Sequence, residues 1–119
     1  MLPDKISCNQ SDEYHAQLML SIVPHLFWFK GHFPLHPILP GVAQVDWAVK
    51  YGCELLAKNF NFAGIENVKF QKPLRPGNTV KLVLTWLPER QLLDFKYVNG
   101  GADLAEEQVY CSGKIRLCQ

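Results

Sequence analysis

The stretch at residues 31–47 has the sequence GHFPLHPILPGVAQVDW and is rich in proline and glycine. Prolines at positions 34, 37 and 40 each fix a backbone angle, so the first part of the stretch has little conformational freedom. Pro40 stands at the start of a helical pattern, where its missing N–H does no harm. Apolar residues or glycine then recur at helical spacing, at positions 42, 45, 49, 52, 55 and 56. The sequence therefore predicts a stiff loop that leads into one long helix over about residues 41–59.

Segments rich in β-forming residues lie on both sides of this helix. Residues 14–23, YHAQLMLSIV, alternate as a half-buried strand does. Four further strands are predicted at 65–70, 80–87, 92–98 and about 104–117, separated by the turn sequences RPGN, PER and NGG. The first dozen residues show no diagnostic pattern. One strand, one helix and four strands in meander order predict an α+β fold, with an antiparallel β-sheet wrapped around one central helix.

Length and charge limit the functions that this chain can have. Its 119 residues indicate a single domain over residues 1–119. A net charge of +1 without basic clusters argues against nucleic-acid or anionic membrane partners. No apolar run approaches the roughly 20 residues that span a bilayer, and the start, MLPDKISC, lacks a secretory pattern, so we expect no membrane insertion and a cytoplasmic location. The cysteines at positions 8, 53, 111 and 118 have no C-x-x-C spacing, and we expect them to be free.

The stretch at 31–47 resembles the active-site segment of the β-hydroxyacyl-acyl carrier protein dehydratases, in which a G-H-F-P-x-x-P-x-x-P-G loop runs into the central helix of a hot-dog fold. The offset from His32 to Asp46, 46 − 32 = 14 residues, also matches, with aspartate in place of glutamate as in one branch. The longer segment FWFKGHFPLHPILPGVAQVDW is most similar to the shorter dehydratases of aryl polyene pigment clusters. The segment KPLRPGNTV, residues 72–80, also fits the hot-dog pattern.

This resemblance implies a hot-dog dehydratase that removes water from a (3R)-3-hydroxyacyl thioester on acyl carrier protein and leaves the trans-2-enoyl thioester. The resemblance further implies that the pathway is fatty acid or aryl polyene biosynthesis. The resemblance implies no cofactor beyond the phosphopantetheine of the carrier protein. It also implies a homodimer with two sites, in which His32 of one subunit faces Asp46 of the other.

The residues themselves suit this chemistry, which needs a base, an acid and a dipole at the thioester oxygen. An unperturbed imidazole titrates near pH ~6.5, so His32 suits the base. The N–H of Gly41 is the first free donor after Pro40, at the positive end of the helix dipole, and suits the oxyanion. Asp46, about a turn and a half into the helix, suits the acid.

Lys50 bears directly on the role of Asp46. It lies four residues after Asp46, where similar proteins have a glutamine. An ammonium that faces a carboxylate stabilises its ionised form. Two alternatives follow: either Lys50 turns outward and Asp46 acts as the acid, or Asp46 mainly holds a water or the substrate hydroxyl.

Several neighbours of the motif are predicted to bind the acyl group, although the aromatic ones equally suit a core. They are Trp28, Phe33, Pro40, Val42 and Trp47. A separate set consists of basic residues, which would suit the docking of an acidic carrier protein but equally suit a face in contact with solvent. They are Lys30, Lys69, Lys72, Arg75 and Lys81. We predict no metal site, because the prolines prevent a helix that would bring His32 and His36 to one face.

Two other functions remain open from the sequence. The first is an acyl thioesterase, because the hot-dog fold also supports hydrolysis and a fold does not fix a function. The second is a non-catalytic subunit that binds acyl carrier protein or completes the site of a partner in a heterodimer.

Overall fold

Six strands and one helix make up the part of the chain that the computed structural model describes, residues 4–22, 41–75, 77, 79–100 and 107–119. The elements are β1 (Asp4–Asp12), β2 (His15–Ser21), α1 (Gly41–Leu55), β3 (Asn61–Phe70), β4 (Thr79–Leu87), β5 (Leu92–Asn99) and β6 (Val109–Cys118). Every strand pairing is antiparallel, and the strands form one sheet in the order β1-β2-β4-β5-β6-β3. The predicted α+β architecture with one helix is confirmed.

Strand β1 was not predicted, because its pattern carries no apolar alternation. Its sequence, DKISCNQSD, is mostly polar, and residues 5–12 are all exposed. It pairs only with β2 among the described strands, with two register shifts along the pairing. The side-chain amide of Gln10 donates a hydrogen bond to the carbonyl of Leu55 at 3.0 Å. This contact ties β1 to the last residue of α1.

The position of β3 corrects the predicted meander. Strands β4, β5 and β6 are neighbours in sequence order, but β3 pairs with β6 and β4 pairs with β2. Strand β3 is therefore the edge of the sheet opposite β1. Sequence patterns identify strands but do not identify which strands are neighbours, so the pairing of β3 could not be read from its own residues.

Three element boundaries also differ from the predicted ones. The helix ends at Leu55 rather than near residue 59, because the carbonyl of Gly52 accepts both the Leu56 and Ala57 N–H groups. Asn59 then takes a φ of 70°, which turns the chain toward β3. Strand β3 begins at residue 61 rather than 65, and β6 begins at residue 109 rather than about 104.

The core lies between α1 and the sheet, where the helix contacts β3, β4 and β5. The fully buried side chains include Leu18, Leu20, Trp47, Leu82, Leu84, Leu93, Phe95, Tyr97 and Ile115. Gly52 permits the close approach of helix and sheet, because a Cβ atom there would lie 2.3 Å from Cδ2 of Leu93. The helix is thus held firmly against the sheet near its C-terminal end.

The stripe that periodicity selects on α1 packs mostly in this core. Val45 and Gly52 are buried, and Val49, Leu55 and Leu56 pack against the core. The helix also buries Ala43, Gln44, Trp47, Ala48 and Tyr51, which lie outside that stripe. The exception within the stripe is Val42, which is 68% exposed at the start of the helix.

Candidate active site

An apolar pocket of about 420 Å³ lies between α1 and β3. Its lining consists of Gly41, Val42, Val45, Asp46, Val49, Phe62, Ile65, Val68 and Phe70. Among these described residues, Asp46 is the one ionisable side chain. Pockets for small ligands have this size and this composition, apolar walls with a few polar groups. This cavity is the α1–β3 pocket.

Two register shifts in β3 build one wall of the pocket. Two residues of β3 oppose one residue of β6 between Phe62 and Gly64, and again between Ile65 and Asn67. Each extra residue changes which face the following side chains occupy. Side chains at 62, 65, 68 and 70 can therefore face the pocket together, although their spacing is not that of a regular strand.

The apolar side chains of the β3 wall are partly exposed, and β3 also has an edge that faces away from β6. Phe62, Ile65 and Phe70 are each about half exposed, at 52%, 48% and 56%. No described strand pairs with this edge of β3. A contiguous exposed apolar surface beside a free strand edge is typical of an interaction site.

The ring of Phe70 lies against the first residue of α1. A Cβ atom at Gly41 would lie 2.6 Å from Cζ and 2.7 Å from Cε1 of this ring, closer than such atoms approach in proteins. The absence of a side chain at Gly41 therefore makes room for Phe70. The ring borders the positive end of the helix, where the sequence places the oxyanion donor.

Asp46 and Lys50 form an ion pair one turn apart on α1. The Nζ atom of Lys50 lies 3.5 Å from Oδ2 of Asp46, with side chains 52% and 38% exposed. A charged carboxylate only accepts hydrogen bonds. Of the two alternatives from the sequence, this arrangement favours the one in which Asp46 holds a water or the substrate hydroxyl.

The structure brings together three of the predicted site residues, Gly41, Val42 and Asp46, at the α1–β3 pocket. Trp47 is fully buried in the core and does not line this pocket. The core role of Trp47 is thus observed, and its contact with substrate stays a prediction.

Four other predicted residues lie outside the described part of the chain: Trp28, His32, Phe33 and Pro40. The roles of His32 as base and of the other three in substrate binding therefore stay predictions. The same holds for Lys30 in carrier binding.

The β3 wall was missed in the sequence. Apolar residues at 62, 65, 68 and 70 were visible in NFAGIENVKF, but their spacing of three, three and two fits neither a strand nor a helix. This unusual spacing, in a segment close after the predicted helix, was the signal in the sequence that could have indicated the pocket wall.

The described ranges contain neither a metal cluster nor a membrane-spanning helix. No three His, Cys, Asp or Glu side chains there lie close enough together to hold a metal ion. No helix in the same ranges is long and apolar enough to cross a membrane.

An antiparallel sheet against one helix, with an apolar pocket beside that helix, is the hot-dog fold as dehydratases have it. The solved structure "The Dehydratase Heterocomplex ApeI:P from Xenorhabdus doucetiae" superposes with a TM-score of 0.90 at 45% identity, covering 100% of both chains. An acyl-CoA hydrolase from Staphylococcus aureus superposes with a TM-score of 0.63 at 12% identity, covering 89% of this chain and 65% of that one. At that identity the hydrolase shares the fold alone.

The family model described as ApeI-like, ApeI dehydratase, matches residues 8–114. The chain belongs to this family of dehydratases. It is also 35% identical over 95 residues to the 3-hydroxyacyl-acyl-carrier-protein dehydratase FabZ of Roseiflexus castenholzii, an alignment that covers 74% of this chain and 64% of that relative. The match therefore spans somewhat less than two thirds of the length of that enzyme.

Proposed function

We propose that this chain removes water from a (3R)-3-hydroxyacyl thioester on acyl carrier protein and gives the trans-2-enoyl thioester, in fatty acid or aryl polyene biosynthesis. The observation that carries the proposal is the α1–β3 pocket. Among the described residues that line it, Asp46 is the one ionisable side chain, and Gly41 is the first residue of α1. Membership of the ApeI-like family supports it. Cytoplasmic location stays a prediction from the sequence.

The proposed chemistry assigns one task to each residue. His32 takes the proton from C2, and the electron pair moves toward the thioester oxygen, where the N–H of Gly41 donates at the positive end of α1. The C3–O bond then breaks as the C2=C3 double bond forms. Asp46 accepts a hydrogen bond from the departing hydroxyl or from a water beside it, and the protonated His32 delivers the C2 proton to that hydroxyl, which leaves as one water.

The proposed reaction leaves the oxidation state of the substrate unchanged, so it needs no redox cofactor. The substrate arrives on the phosphopantetheine arm of the carrier protein. Exposed basic residues at the end of β3 and in the segment after it, Lys69, Lys72 and Arg75, suit an acidic carrier.

We infer that a second hot-dog chain covers the open side of the pocket. The half-exposed side chains of β3 and the 68% exposed Val42 of α1 line the same pocket, next to the free edge of β3. A homodimer with two sites is the simpler arrangement, because this chain carries both His32 and Asp46. The relative from Xenorhabdus is named a heterocomplex, which supports a heterodimer as the alternative.

The reaction is tested by mass spectrometry of a 3-hydroxyacyl carrier thioester incubated with wild type, His32→Ala and Asp46→Asn. Loss of one water with wild type, and with neither variant, supports the proposal. Activity retained in His32→Ala overturns the assignment of the base. Release of the free carrier thiol instead of dehydration identifies a thioesterase.

The second hot-dog chain is tested by light scattering of the purified protein, followed by the same assay without any partner. An active dimer of this chain supports the homodimer. Activity that requires the addition of a second hot-dog dehydratase subunit supports the heterodimer and overturns the homodimer.

A further inference from the structure

A buried hydrogen bond joins the middle of the sheet to the beginning of α1. The hydroxyl of Tyr97, on β5, donates to the backbone carbonyl of Gln44 at 2.6 Å, across 53 residues of sequence. Tyr97 is fully buried, and burial keeps its pKa well above the ordinary value. The phenol therefore remains protonated and remains a donor at neutral pH.

The carbonyl that Tyr97 holds belongs to the peptide group between Gln44 and Val45. This group is planar and rigid, so its position sets that of the residues attached to it. Val45 lines the α1–β3 pocket, and Asp46 follows it directly. Gly41 lies three residues before Gln44 in the same helix.

Apolar packing of this part of the helix is less directional than a hydrogen bond. Ala43 and Ala48 are buried in the apolar core, and packing of this kind resists separation more than sliding or rotation. On the pocket side Val42 is largely exposed and Phe70 is half exposed. The Tyr97 hydrogen bond has a defined length and direction, so it can fix the helix along its axis.

We propose that Tyr97 is a positioning residue for the dehydration, whose hydroxyl fixes the first two turns of α1 and so places the Gly41 N–H and the Asp46 carboxylate in the pocket. The inference rests on the proposed function. Tyr97 touches no reacting atom in this scheme, because it does not line the α1–β3 pocket. Small displacements of catalytic groups lower rates steeply, which gives such an anchor a measurable effect.

The first experiment compares Tyr97→Phe with a matched control, Tyr51→Phe. Tyr51 is also a buried tyrosine, on α1 itself, so both variants lose one hydroxyl from the same core. We expect Tyr97→Phe to lower the single-turnover dehydration rate about ten-fold with KM within about two-fold, and Tyr51→Phe to change neither beyond about two-fold. Equal losses in the two variants, or no loss in Tyr97→Phe, would overturn the proposal.

A rescue variant separates positioning from general stability. Replacement of Tyr97 by 4-aminophenylalanine keeps the ring and restores an N–H donor at its tip. We expect this protein to recover the rate to within about three-fold of wild type. A folded protein that carries this residue and stays as slow as Tyr97→Phe would contradict the assignment.

Amide hydrogen exchange tests the anchor without any activity. In Tyr97→Phe we expect protection of the amides of residues 45–48 to fall about ten-fold or more, while that of residues 52–55 stays unchanged. Unchanged exchange at residues 45–48 overturns the anchor itself. A wild type that fails to dehydrate any carrier substrate, with exchange altered as expected, contradicts the proposed function and leaves the anchor supported.

Discussion

The ring of Phe70 and the Cα atom of Gly41 are in such close contact that a methyl group on Gly41 would come within 2.6 Å of the ring. Gly41→Ala therefore has to displace the ring, and because Phe70 is 56% exposed and can turn away, we expect the free energy of unfolding to fall by less than about 1 kcal/mol. In a Phe70→Ala background the same change should be neutral or stabilising, since alanine is favoured over glycine in helices by up to about 1 kcal/mol. Urea unfolding of the four proteins measures this coupling, and strictly additive effects would contradict it.

The ion pair between Lys50 and Asp46 is exposed, so its contribution to stability is small. We expect Lys50→Gln to change the free energy of unfolding by less than about 0.5 kcal/mol. Lys50→Glu, which places like charges one turn apart, should lower it by a similar amount, and high salt should reduce that loss. Urea unfolding at low and high salt measures both. A loss above about 1 kcal/mol in the free energy of unfolding of Lys50→Gln would contradict an exposed ion pair.

Gly52 allows α1 to approach Leu93, and Gly52→Ala should force them apart. The added Cβ would lie 2.3 Å from a methyl group of a fully buried side chain. We expect a net loss of about 1–2 kcal/mol in the free energy of unfolding, because overpacking outweighs the better helix propensity of alanine. Glu54→Ala, at an exposed position of the same helix, is the matched control and should stay within about 0.5 kcal/mol. Equal stability of the two variants would contradict the close approach.

Burial of the Cys111 thiol makes stability depend on alkaline pH. Burial raises the pKa of Cys111 from 9.0 to about 12. The folded state therefore keeps a proton that the unfolded state loses. This contribution to stability is fully present below pH 9.0 and is lost as the pH rises toward about 12.

Between these two pH values, wild type should lose about 1.4 kcal/mol per pH unit more than Cys111→Ala. Urea unfolding of both proteins under reducing conditions at several alkaline pH values measures the two slopes. Parallel slopes would contradict a buried, protonated thiol.

The free edge of β3 predicts which surface change disrupts assembly. Ile65→Asp places a charge on the half-exposed apolar surface of β3, and we expect it to convert the proposed dimer to monomer in light scattering. Ile6→Asp is the control, because Ile6 is similarly exposed, at 59%, but lies on β1 at the opposite edge. A dimer that survives Ile65→Asp, or that is lost equally in both variants, would show that β3 is not the contact surface.

Local signals predicted part of this fold well. Pro40 followed by Gly41 marked the start of α1 at the observed residue, and the alternation of β2 matches its observed burial. Strand β1 could not be predicted, because its side chains remain solvated on both faces and no apolar pattern is required there. Strand β3 pairs with β6, which lies far from it in the sequence, rather than with the next strand, β4. The residues of one segment do not encode such a pairing.

The candidate site was predicted on the helix and missed on the strand. The motif pointed to Gly41, Val42 and Asp46, which the structure gathers at one pocket. The opposite wall depends on the two register shifts of β3, which reorient Phe62 and Ile65 in a way that alternation rules do not anticipate. Apolar periodicity found core residues of α1, Val45 and Gly52, together with the pocket residue Val42, because the helix is apolar on more than one side.

The two edges of the sheet differ in a way that limits the size of any assembly. In the proposed dimer, two-fold pairing through β3 would use the apolar edge of both chains and leave a β1 edge at each end of the joined sheet. Strand β1 is polar and exposed, which disfavours the addition of a further strand. We therefore expect growth to stop at two chains rather than to continue into a fibre.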